Sequence, residues 1–281
     1  MGRTSTVQVD EQAVIQMYLD GVPMIRIAEQ FEGMKHHHVD WILRKHGIPK
    51  RSNKQNSRKY EVDHHYFDVI DTEEKAYWLG FLAADGYVRG GNRCEVGMSL
   101  EIKDIGHVDK FKQAINATYP VKTYEGTTSY NNVAYARLLV ASESMKEALE
   151  KHGIVEHKTL VLEFPELPEE LVRHFIRGYF DGDGSFSYYA KKNQYQIKIC
   201  GTTAILTGIL EAFEMLNQKL YKRNDDDKDN YYISIGGMNQ VRQLADYMYD
   251  GATIYLERKK EIYEQIKNTV PLGEQSLVRT P

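Results

Sequence analysis

The sequence predicts an α+β protein in which one α-β-β-α-β-β-α unit occurs twice, preceded by a small all-α domain. The first observation is a repeated motif, a glycine followed by four residues and then Asp-Gly, whose two aspartates stand 98 residues apart. The second is that helix and strand patterns follow both motifs in the same order. The expected segments are a helical domain at 1–50, a basic linker at 51–70, and two halves of the repeat at 71–165 and 166–281.

The composition is that of an ordinary globular protein of 281 residues, 42% of them apolar and 27% charged. No stretch approaches the roughly 18 apolar residues of a membrane helix, and the N-terminus lacks the apolar core of a signal peptide. Two cysteines are too few for a disulfide scaffold. We therefore expect a cytoplasmic protein with no membrane partner.

The net charge of -4 is distributed unevenly. Residues 1–60 hold ten basic and six acidic residues, whereas the rest of the chain has a net charge of -8. Within 41–60 there are seven basic residues and no acidic one. Such asymmetry indicates a nucleic-acid-binding module at one end, although an isolated basic run is equally typical of a solvated linker.

Three short helices are predicted before this basic run. They cover residues 10–20, 23–31 and 35–45, and they are followed by Gly21, Gly33 and Gly47. Apolar residues recur at i, i+3, i+4 and i+7 from Met24, and glycine is the usual residue after a helix end. Three short helices with a glycine turn between the second and third follow the helix-turn-helix pattern.

The run Ile27-Ala28-Glu29-Gln30-Phe31, with Val39 and residues 43–48, resembles helix-turn-helix domains of the resolvase and transposase kind. The resemblance implies that the third helix enters the major groove of DNA, with Asp40 and Trp41 on its exposed side. The expected DNA contacts are Lys35, His36, His37, Arg44, Lys45, Lys50, Arg51, Lys54 and Arg58. The consecutive histidines 36–38 point about 100° apart and do not suit one metal ion. A protein-binding module is the alternative.

Each half of the repeat begins with an apolar helix that ends at its Asp-Gly. Gly80 and Gly178 lack side chains, so the two helices can approach closely and bring Asp85 and Asp183 together. Adjacent carboxylates are unfavourable unless a cation joins them, and their hard oxygens suit Mg²⁺. The sequence therefore predicts a magnesium site of the kind that hydrolyses phosphodiesters.

The remainder of each half also repeats. Strands are predicted at 95–102, 133–141, 195–200 and 231–235, helices at 105–117 and 204–216, and closing helices from about Glu143 and Gln240. A lysine follows each closing helix, Lys158 and Lys259, at 73 and 76 residues after the motif aspartates. These lysines would supply positive charge near a reacting phosphate.

The two motifs are Leu79-Gly80-Phe81-Leu82-Ala83-Ala84-Asp85-Gly86 and Arg177-Gly178-Tyr179-Phe180-Asp181-Gly182-Asp183-Gly184. They resemble those of single-chain LAGLIDADG homing endonucleases, over about residues 65–270. The resemblance implies a pseudo-twofold fold and a monomer that cuts both strands of a long double-stranded DNA site with Mg²⁺, Mn²⁺ being able to substitute. It also implies an intron or phage mobile element and association with DNA, or the nucleoid, in a bacterial or phage-infected cell.

The resemblance implies roles for single residues as well. Asp85 and Asp183 would bind the metal and, with Lys158 and Lys259, form the catalytic set. The possible water-network residues are Asp104 and Thr202, and the DNA contacts on the sheets are Arg137, Gln196 and Lys198.

Two features depart from the family pattern. Ala83 stands where the first acid of the motif is expected, whereas Asp181 keeps that acid, and Glu95 and Glu101 would face DNA. The acidic segment 225–229 lacks the glycine and distal glutamate of an EF-hand and is typical of a solvated hairpin tip.

Two other functions stay open, a transcription regulator on a decayed endonuclease scaffold and an RNA maturase that assists intron splicing.

Overall fold

The computed structural model describes residues 9–50, 60–91, 94–126, 133–215, 217–223 and 228–269. The chain forms two compact units that divide between Glu61 and Val62. Their described residues form ten α-helices and eight β-strands. None of these helices is long and apolar enough to cross a membrane.

The N-terminal unit consists of three helices. They are α1 (Glu11–Leu19), α2 (Met24–Glu29) and α3 (His36–Lys45). Asp10 caps α1, because its side chain accepts hydrogen bonds from the backbone N–H groups of Gln12 and Ala13. The predicted stops are confirmed, since the glycines that follow the helices all have positive φ: Gly21, Gly33 and Gly47.

Helix α2 ends at Glu29, two residues earlier than expected. The chain tightens there into short turns, with the Gln30 N–H donating to Ile27 O and the Phe31 N–H donating to Ala28 O. Phe31 still packs against the small core of the unit, whose fully buried residues are Val14, Ile27, Val39 and Leu43.

The second unit contains the predicted repeat. Its first half consists of α4 (Glu73–Ala84), β1 (Gly86–Arg89), β2 (Glu95–Glu101), α5 (Ile105–Ala114), β3 (Lys122–Tyr124), β4 (Tyr135–Ala141) and α6 (Glu143–Lys151). Its second half consists of α7 (Glu169–Asp183), β5 (Gly184–Tyr189), β6 (Gln194–Gly201), α8 (Thr203–Ala212), β7 (Tyr221–Lys222), β8 (Tyr231–Ile235) and α9 (Met238–Tyr249). Helix α10 (Glu257–Asn268) follows. The element order α-β-β-α-β-β-α is therefore confirmed in both halves.

Each half forms a four-stranded antiparallel sheet, in the order β1-β2-β4-β3 in the first and β5-β6-β8-β7 in the second. The sheets correspond in register, since Met98 lies between Gly86 and Leu138 and Ile199 lies between Gly184 and Ile233. Helices α5 and α6 pack on the first sheet, and α8 and α9 pack on the second. The glycine after each motif aspartate therefore occupies the same position in its sheet.

Helices α5 and α8 end earlier than the periodicity predicts. In each, a residue soon after the helix adopts a left-handed conformation, Asn116 in one and Glu214 in the other. The next N–H then reaches back five residues, from Ala117 to Lys112 O and from Met215 to Leu210 O. As in a Schellman motif, these bonds provide donors for carbonyls of the last helical turn and end the helix.

Two further differences concern the strand ends. Ile102 was expected to be the last residue of β2, but it begins a short 3₁₀ turn and is 38% exposed. Helix α10 was not predicted, although Ile262, Tyr263 and Ile266 recur at helical spacing and pack against the core. Its first turn is rich in charged residues, which obscures the apolar stripe.

Candidate metal and nucleic-acid site

Helices α4 and α7 contact each other backbone to backbone. A Cβ atom at Gly80 would overlap the carbonyl oxygen of Phe175, and a Cβ atom at Gly178 would overlap that of Tyr77. Residues 76–83 of α4 are all buried, so this helix is covered on every side. The close glycine packing inferred from the sequence is present, and it fixes the separation of the two helix ends.

Asp85 and Asp183 lie at these ends. Asp85 caps the C-terminus of α4, and Asp183 is the last residue of α7. A Cβ atom at Gly182 would lie 3.4 Å from the Asp85 carboxyl carbon, so the Asp85 side chain lies beside the backbone that leads into Asp183. Both aspartates are exposed to solvent. The structure therefore brings the two predicted acids together at one accessible end of the helix pair.

The aspartates share an environment that opposes ionisation. Desolvation by the surrounding protein, and then the neighbouring Asp85 carboxylate, raise the pKa of Asp183 to about 6. Desolvation also raises the pKa of Asp85, although Lys259 and Lys158 partly offset this effect. A pair of carboxylates in this condition gains a favourable partner when a cation binds between them.

Both predicted lysines are buried beside the aspartates, 7% and 2% exposed for Lys158 and Lys259. The Lys158 ammonium donates to Ala84 O at 3.3 Å and to Gly86 O, on either side of Asp85. Burial lowers the pKa of Lys158 below its ordinary value. The positive charge of Lys158 therefore lies at the C-terminal end of α4, where the helix dipole is negative.

Lys259 makes a fuller set of contacts at the end of α7. Its ammonium donates to Phe180 O, to Asp181 O at 2.8 Å and to Gly184 O at 2.7 Å. Burial lowers the pKa of Lys259 to about 8. An ammonium has three hydrogens, so these three carbonyls occupy all of them, and Lys259 acts on its surroundings through its charge.

The residues present suit a hard divalent cation. Two exposed carboxylates supply oxygen ligands, and Mg²⁺ commonly takes one or two carboxylates and fills its remaining positions with water and phosphate oxygens. Among the described residues, no group of three or more His, Cys, Asp or Glu side chains is arranged to enclose a metal ion. Two carboxylates alone would leave the other positions of such an ion to water and phosphate oxygens.

The two expected water-network residues differ in their surroundings. Asp104 accepts a hydrogen bond from Arg258 Nε at 3.1 Å, and its charge contributes to the raised pKa of Asp85. Thr202 is buried, donates its hydroxyl to Leu162 O and accepts from the Ile205 N–H at 3.2 Å as the N-cap of α8. Asp104 is thus near the aspartates, whereas the Thr202 hydroxyl is engaged within the fold.

Two cations near the aspartates were not anticipated from the sequence. The positive charge of Arg258 acts to lower the pKa of Asp85, and that of Arg223 acts to lower the pKa of Asp183. Desolvation and the two lysines have larger effects on both aspartates, whose pKa values stay raised. Both side chains are exposed. Arg258 directly precedes Lys259, a weak sequence signal, whereas Arg223 follows a two-residue strand that periodicity does not detect.

The outer face of the first sheet is polar and aromatic. Arg137 lies between Ser99 and Lys122 in the register, donates to Ser99 Oγ at 2.8 Å, and stacks its guanidinium on Tyr124 and Tyr135. The two tyrosine rings stack on each other at 4.8 Å. The Arg137 expected from the sequence therefore lies on the outer face, supported by aromatic rings.

The outer face of the second sheet has a similar character. Lys198 lies between Ser185 and Ser234, with its ammonium 4.0 Å from the centre of the Tyr232 ring. Gln196 donates to Ser234 Oγ at 2.6 Å and accepts from the Tyr189 hydroxyl at 2.8 Å. Both residues expected to contact DNA are half-buried on this face.

The two glutamates expected on the outer face of the first sheet each have a cationic partner. Glu95 lies 3.5 Å from Arg89, its register neighbour on β1. Glu101 pairs with Lys103, and the hydrogen bond from that ammonium lowers the pKa of Glu101. Their negative charge is therefore partly balanced within the protein.

The N-terminal unit presents seven of the residues expected near DNA on its surface. These exposed side chains are Lys35, His36, His37, Trp41, Arg44, Lys45 and Lys50. The expectation that Asp40 lies on the exposed side of α3 is wrong. Asp40 is 8% exposed and pairs with Arg44 and Lys50.

Lys45 is also paired within the N-terminal unit, with Glu11 at 2.7 Å. Three of the expected DNA contacts in this unit thus have an acidic partner in the protein: Arg44, Lys45 and Lys50. Three others, Arg51, Lys54 and Arg58, lie outside the described residues, as does most of the acidic segment 225–229.

Residues 170–249 match the family model of the LAGLIDADG-like domain. The matched segment extends from α7 to α9 and includes the second Asp-Gly motif. The resemblance expected from the sequence is confirmed for this segment, which is well under half of the chain. None of the curated proteins matches the chain.

Several solved structures are similar to this chain. The meganuclease I-SmaMI bound to uncleavable DNA with a TTCT central four has 11% identity and a TM-score of 0.47, over 70% of this chain and 90% of that chain. The LAGLIDADG homing endonuclease I-GzeII in complex with its DNA target has 11% identity and a TM-score of 0.46, over 69% and 88%. The I-LtrWI LAGLIDADG homing endonuclease bound to target DNA has 13% identity and a TM-score of 0.43, over 73% and 92%.

Proposed function

We propose that this chain is a site-specific DNA endonuclease of the LAGLIDADG homing type that cuts both strands of a long double-stranded site. The observation that carries the proposal is the delivery of Asp85 and Asp183 to one exposed end of the glycine-packed helix pair, where each helix enters a sheet. The match of residues 170–249 to the LAGLIDADG-like domain supports the same function.

Asp85 and Asp183 would hold Mg²⁺, with Mn²⁺ able to substitute. When bound, such an ion activates water and stabilises the leaving oxygen of a phosphodiester. Lys158 and Lys259 would keep the turns around the aspartates in place through their carbonyl contacts and add positive charge through space. Asp104 would hold Arg258 near Asp85.

Duplex DNA would lie along the outer faces of the two sheets. Arg137, Gln196 and Lys198 are the residues there that we assign to base or phosphate contacts, because each has donors suited to groove or backbone atoms. The protein would act as a monomer, since one chain supplies both halves, and would be associated with DNA in the cell.

The N-terminal unit would be a second DNA-binding module of helix-turn-helix type. Its exposed cations and imidazoles around α3 suit phosphates, and the net charge of +4 over residues 1–60 suits a polyanion. Deletion of residues 1–59 should weaken binding and flatten its salt dependence. An unchanged salt slope and footprint would assign this unit to another partner.

Cleavage of a library of duplex sites in the presence of Mg²⁺ tests the enzymatic proposal. We expect cleavage of a small set of related sites by the natural chain, and loss of cleavage with retained binding in Asp85→Asn and Asp183→Asn. Asp68→Asn is a matched control, because Asp68 is half-exposed, pairs with His65 and belongs to neither motif in the sequence. Unchanged cleavage in both site variants would overturn the assignment of the aspartates.

DNA binding without cleavage, and an RNA splicing assay, test the two alternatives. A transcription regulator on this scaffold would bind a DNA site without cutting it under any divalent metal. An RNA maturase would bind a folded intron RNA and increase its splicing. The presence of both aspartates and both lysines favours the endonuclease, because a scaffold released from cleavage has no need of a carboxylate pair whose ionisation is unfavourable.

A further inference from the structure

Asp181 is a buried acid two residues before Asp183, and it is 0% exposed. Its carboxylate accepts three hydrogen bonds, from the Tyr77 hydroxyl at 2.7 Å, from the Leu256 N–H at 2.7 Å and from the Tyr249 hydroxyl. These donors come from α4, from the start of α10 and from α9. The side chain therefore joins three elements without reaching the exposed end where Asp85 and Asp183 meet.

The contact from α4 is directed by a histidine. Tyr77 Oη lies 2.9 Å from His107 Nε2. Because the hydroxyl hydrogen of Tyr77 goes to Asp181, His107 must donate from Nε2, which leaves Nδ1 as an acceptor for which the described residues supply no partner. Burial lowers the pKa of His107 to about 3, so the imidazole is neutral and can hold this tautomer. Hydrogen bonds thus run in one direction, from His107 to Tyr77 to Asp181.

The contact to α10 fixes the position of Lys259. Leu256 is the N-cap of α10, and its carbonyl accepts from the backbone N–H groups of Lys259 and Lys260 at 3.0 and 3.1 Å. The Asp181 carboxylate holds the Leu256 N–H, and the Asp181 carbonyl holds the Lys259 ammonium. One residue therefore binds both the start of the helix that carries Lys259 and the tip of that side chain.

The loop before α10 is held by the first half of the repeat as well. The Thr253 N–H donates to Glu73 Oε1 at 2.9 Å, and Arg177 donates to the same oxygen at 2.7 Å. Arg177, 0% exposed, also donates to Ile254 O and Met248 O, both at 2.9 Å. Glu73 belongs to α4, so the first half of the repeat also contacts the loop before α10 directly.

The pseudo-symmetric positions of the other half carry no such network. Phe175 stands where Tyr77 does, eight residues before the motif aspartate, and Ala83 stands where Asp181 does, two residues before it. Both are apolar. Lys158 correspondingly lies in a short 3₁₀ turn and has two carbonyl acceptors, Ala84 and Gly86.

We propose that Asp181, together with Tyr77, is a positioning residue that holds Lys259 against the end of α7. The first half of the repeat would then control the reaction served by Lys259 and not the one served by Lys158. The inference rests on the proposed endonuclease function. A duplex has antiparallel strands, and two pseudo-symmetric lysines would each serve one of them. Loss of the network should therefore slow one strand selectively.

The test is strand-resolved, single-turnover cleavage of an end-labelled duplex site by the full chain with Mg²⁺. We expect Asp181→Asn and Tyr77→Phe to slow one strand about tenfold or more, so that nicked DNA accumulates. The slowed strand should be the one that Lys259→Ala also slows. The dissociation constant for the same duplex, measured with Ca²⁺ in place of Mg²⁺, should change by less than about twofold.

Tyr179→Phe is the matched control. It removes a buried tyrosine hydroxyl from α7, the helix that carries Asp181. That hydroxyl donates to Cys200 O at 2.9 Å and does not reach α10. Both strands should be cut at the natural rate. If Asp181→Asn fails to fold, Tyr77→Phe decides alone, because Asp181 then keeps its other two donors.

The outcomes separate this inference from the proposed function. Equal slowing of both strands, or natural rates on both in a folded Tyr77→Phe variant, overturns the positioning role while the endonuclease stands. Failure of the natural chain to cut either strand overturns the endonuclease, and the inference with it.

Discussion

The Cα atom of Gly80 lies against the backbone carbonyl of Phe175, with no room for a methyl group between them. Gly178 has the same relationship to the carbonyl of Tyr77. The two central helices therefore meet through their backbones rather than through interdigitated side chains. Any added atom at these positions must move one helix, and the carboxylates of Asp85 and Asp183 would move with it.

Gly80→Ala should destabilise the protein and separate the two aspartates. The overlap is with backbone, which cannot change rotamer, so the cost should reach about 3 kcal/mol, the upper part of the range for overpacked cores. Urea unfolding of the natural and variant chains measures the loss, and DNA cleavage with Mg²⁺ should fall in parallel.

Gly106→Ala is the control for this prediction. Gly106 also lies within a helix, α5, but no atom comes within 4 Å of a Cβ built there. The substitution should raise the free energy of unfolding by about 0.5–1 kcal/mol through helix propensity. Equal destabilisation by the two alanines would contradict the close backbone contact at Gly80.

The buried His107 predicts a loss of stability in acid. Burial lowers the pKa of His107 from 6.5 to about 3. The unfolded chain takes up a proton below about pH 6.5, whereas the folded chain does not, so stability is complete above that pH and falls as the pH drops towards 3. From this shift, the loss at pH 5 is about 2 kcal/mol.

His107→Gln should remove most of that pH dependence, because the glutamine amide can still donate to Tyr77 but does not titrate. The measurement is urea unfolding at pH 7 and pH 5. His65→Gln is the matched control, since His65 is exposed and paired with Asp68. A pH 5 loss that persists unchanged in His107→Gln would mean that other groups cause it.

Local patterns were sufficient to predict the repeated unit of both halves, although not helix α10. Alternation identified the strands, apolar periodicity identified the helices, and the spacing of Gly80 and Gly178 from their aspartates identified the central pair. These signals work because each element buries one face or stripe, which leaves a period in the sequence. Helix ends were less predictable, because they depend on single backbone conformations such as those of Asn116 and Glu214.

The contacts within the site depend on the fold and leave no local period. Asp181 receives hydrogen bonds from Tyr77 and from Leu256, residues that lie 104 and 75 positions away in the chain. Arg177, which is fully buried, would be expected on a surface from its charge alone. Its partner Glu73 lies in the other half of the repeat, and only the helix packing brings the two together.

Asp183→Asn should stabilise the metal-free protein while abolishing its response to metal. The pKa of Asp183 is raised to about 6, so the folded state becomes less stable as the pH rises from about 4 through 6. The side chain is exposed to solvent, so after allowance for screening we expect a gain of about 1 kcal/mol at neutral pH. Thermal unfolding in a chelator should show a higher Tm for the variant.

Addition of Mg²⁺ should then raise the Tm of the natural chain and leave that of Asp183→Asn unchanged, because ligand binding stabilises only a state that binds it. Asp68→Asn should respond to Mg²⁺ like the natural chain. An equal Mg²⁺ shift in the natural chain and Asp183→Asn would place the metal elsewhere.

Asp40→Asn should strengthen binding of DNA by the N-terminal unit. Asp40 pairs with Arg44 and Lys50, and its neutralisation would release both cations to phosphates. Each additional phosphate contact steepens the slope of log K against log salt by about 0.9, so the slope should steepen by about 1–2.

Asp20→Asn makes the same charge change in the same unit, but the side chain of Asp20 accepts from Gln16 and has no salt bridge to a cation among the described residues. The Asp20 variant should keep the natural slope, and an equal change in both variants would show that net charge alone, rather than release of Arg44 and Lys50, governs binding.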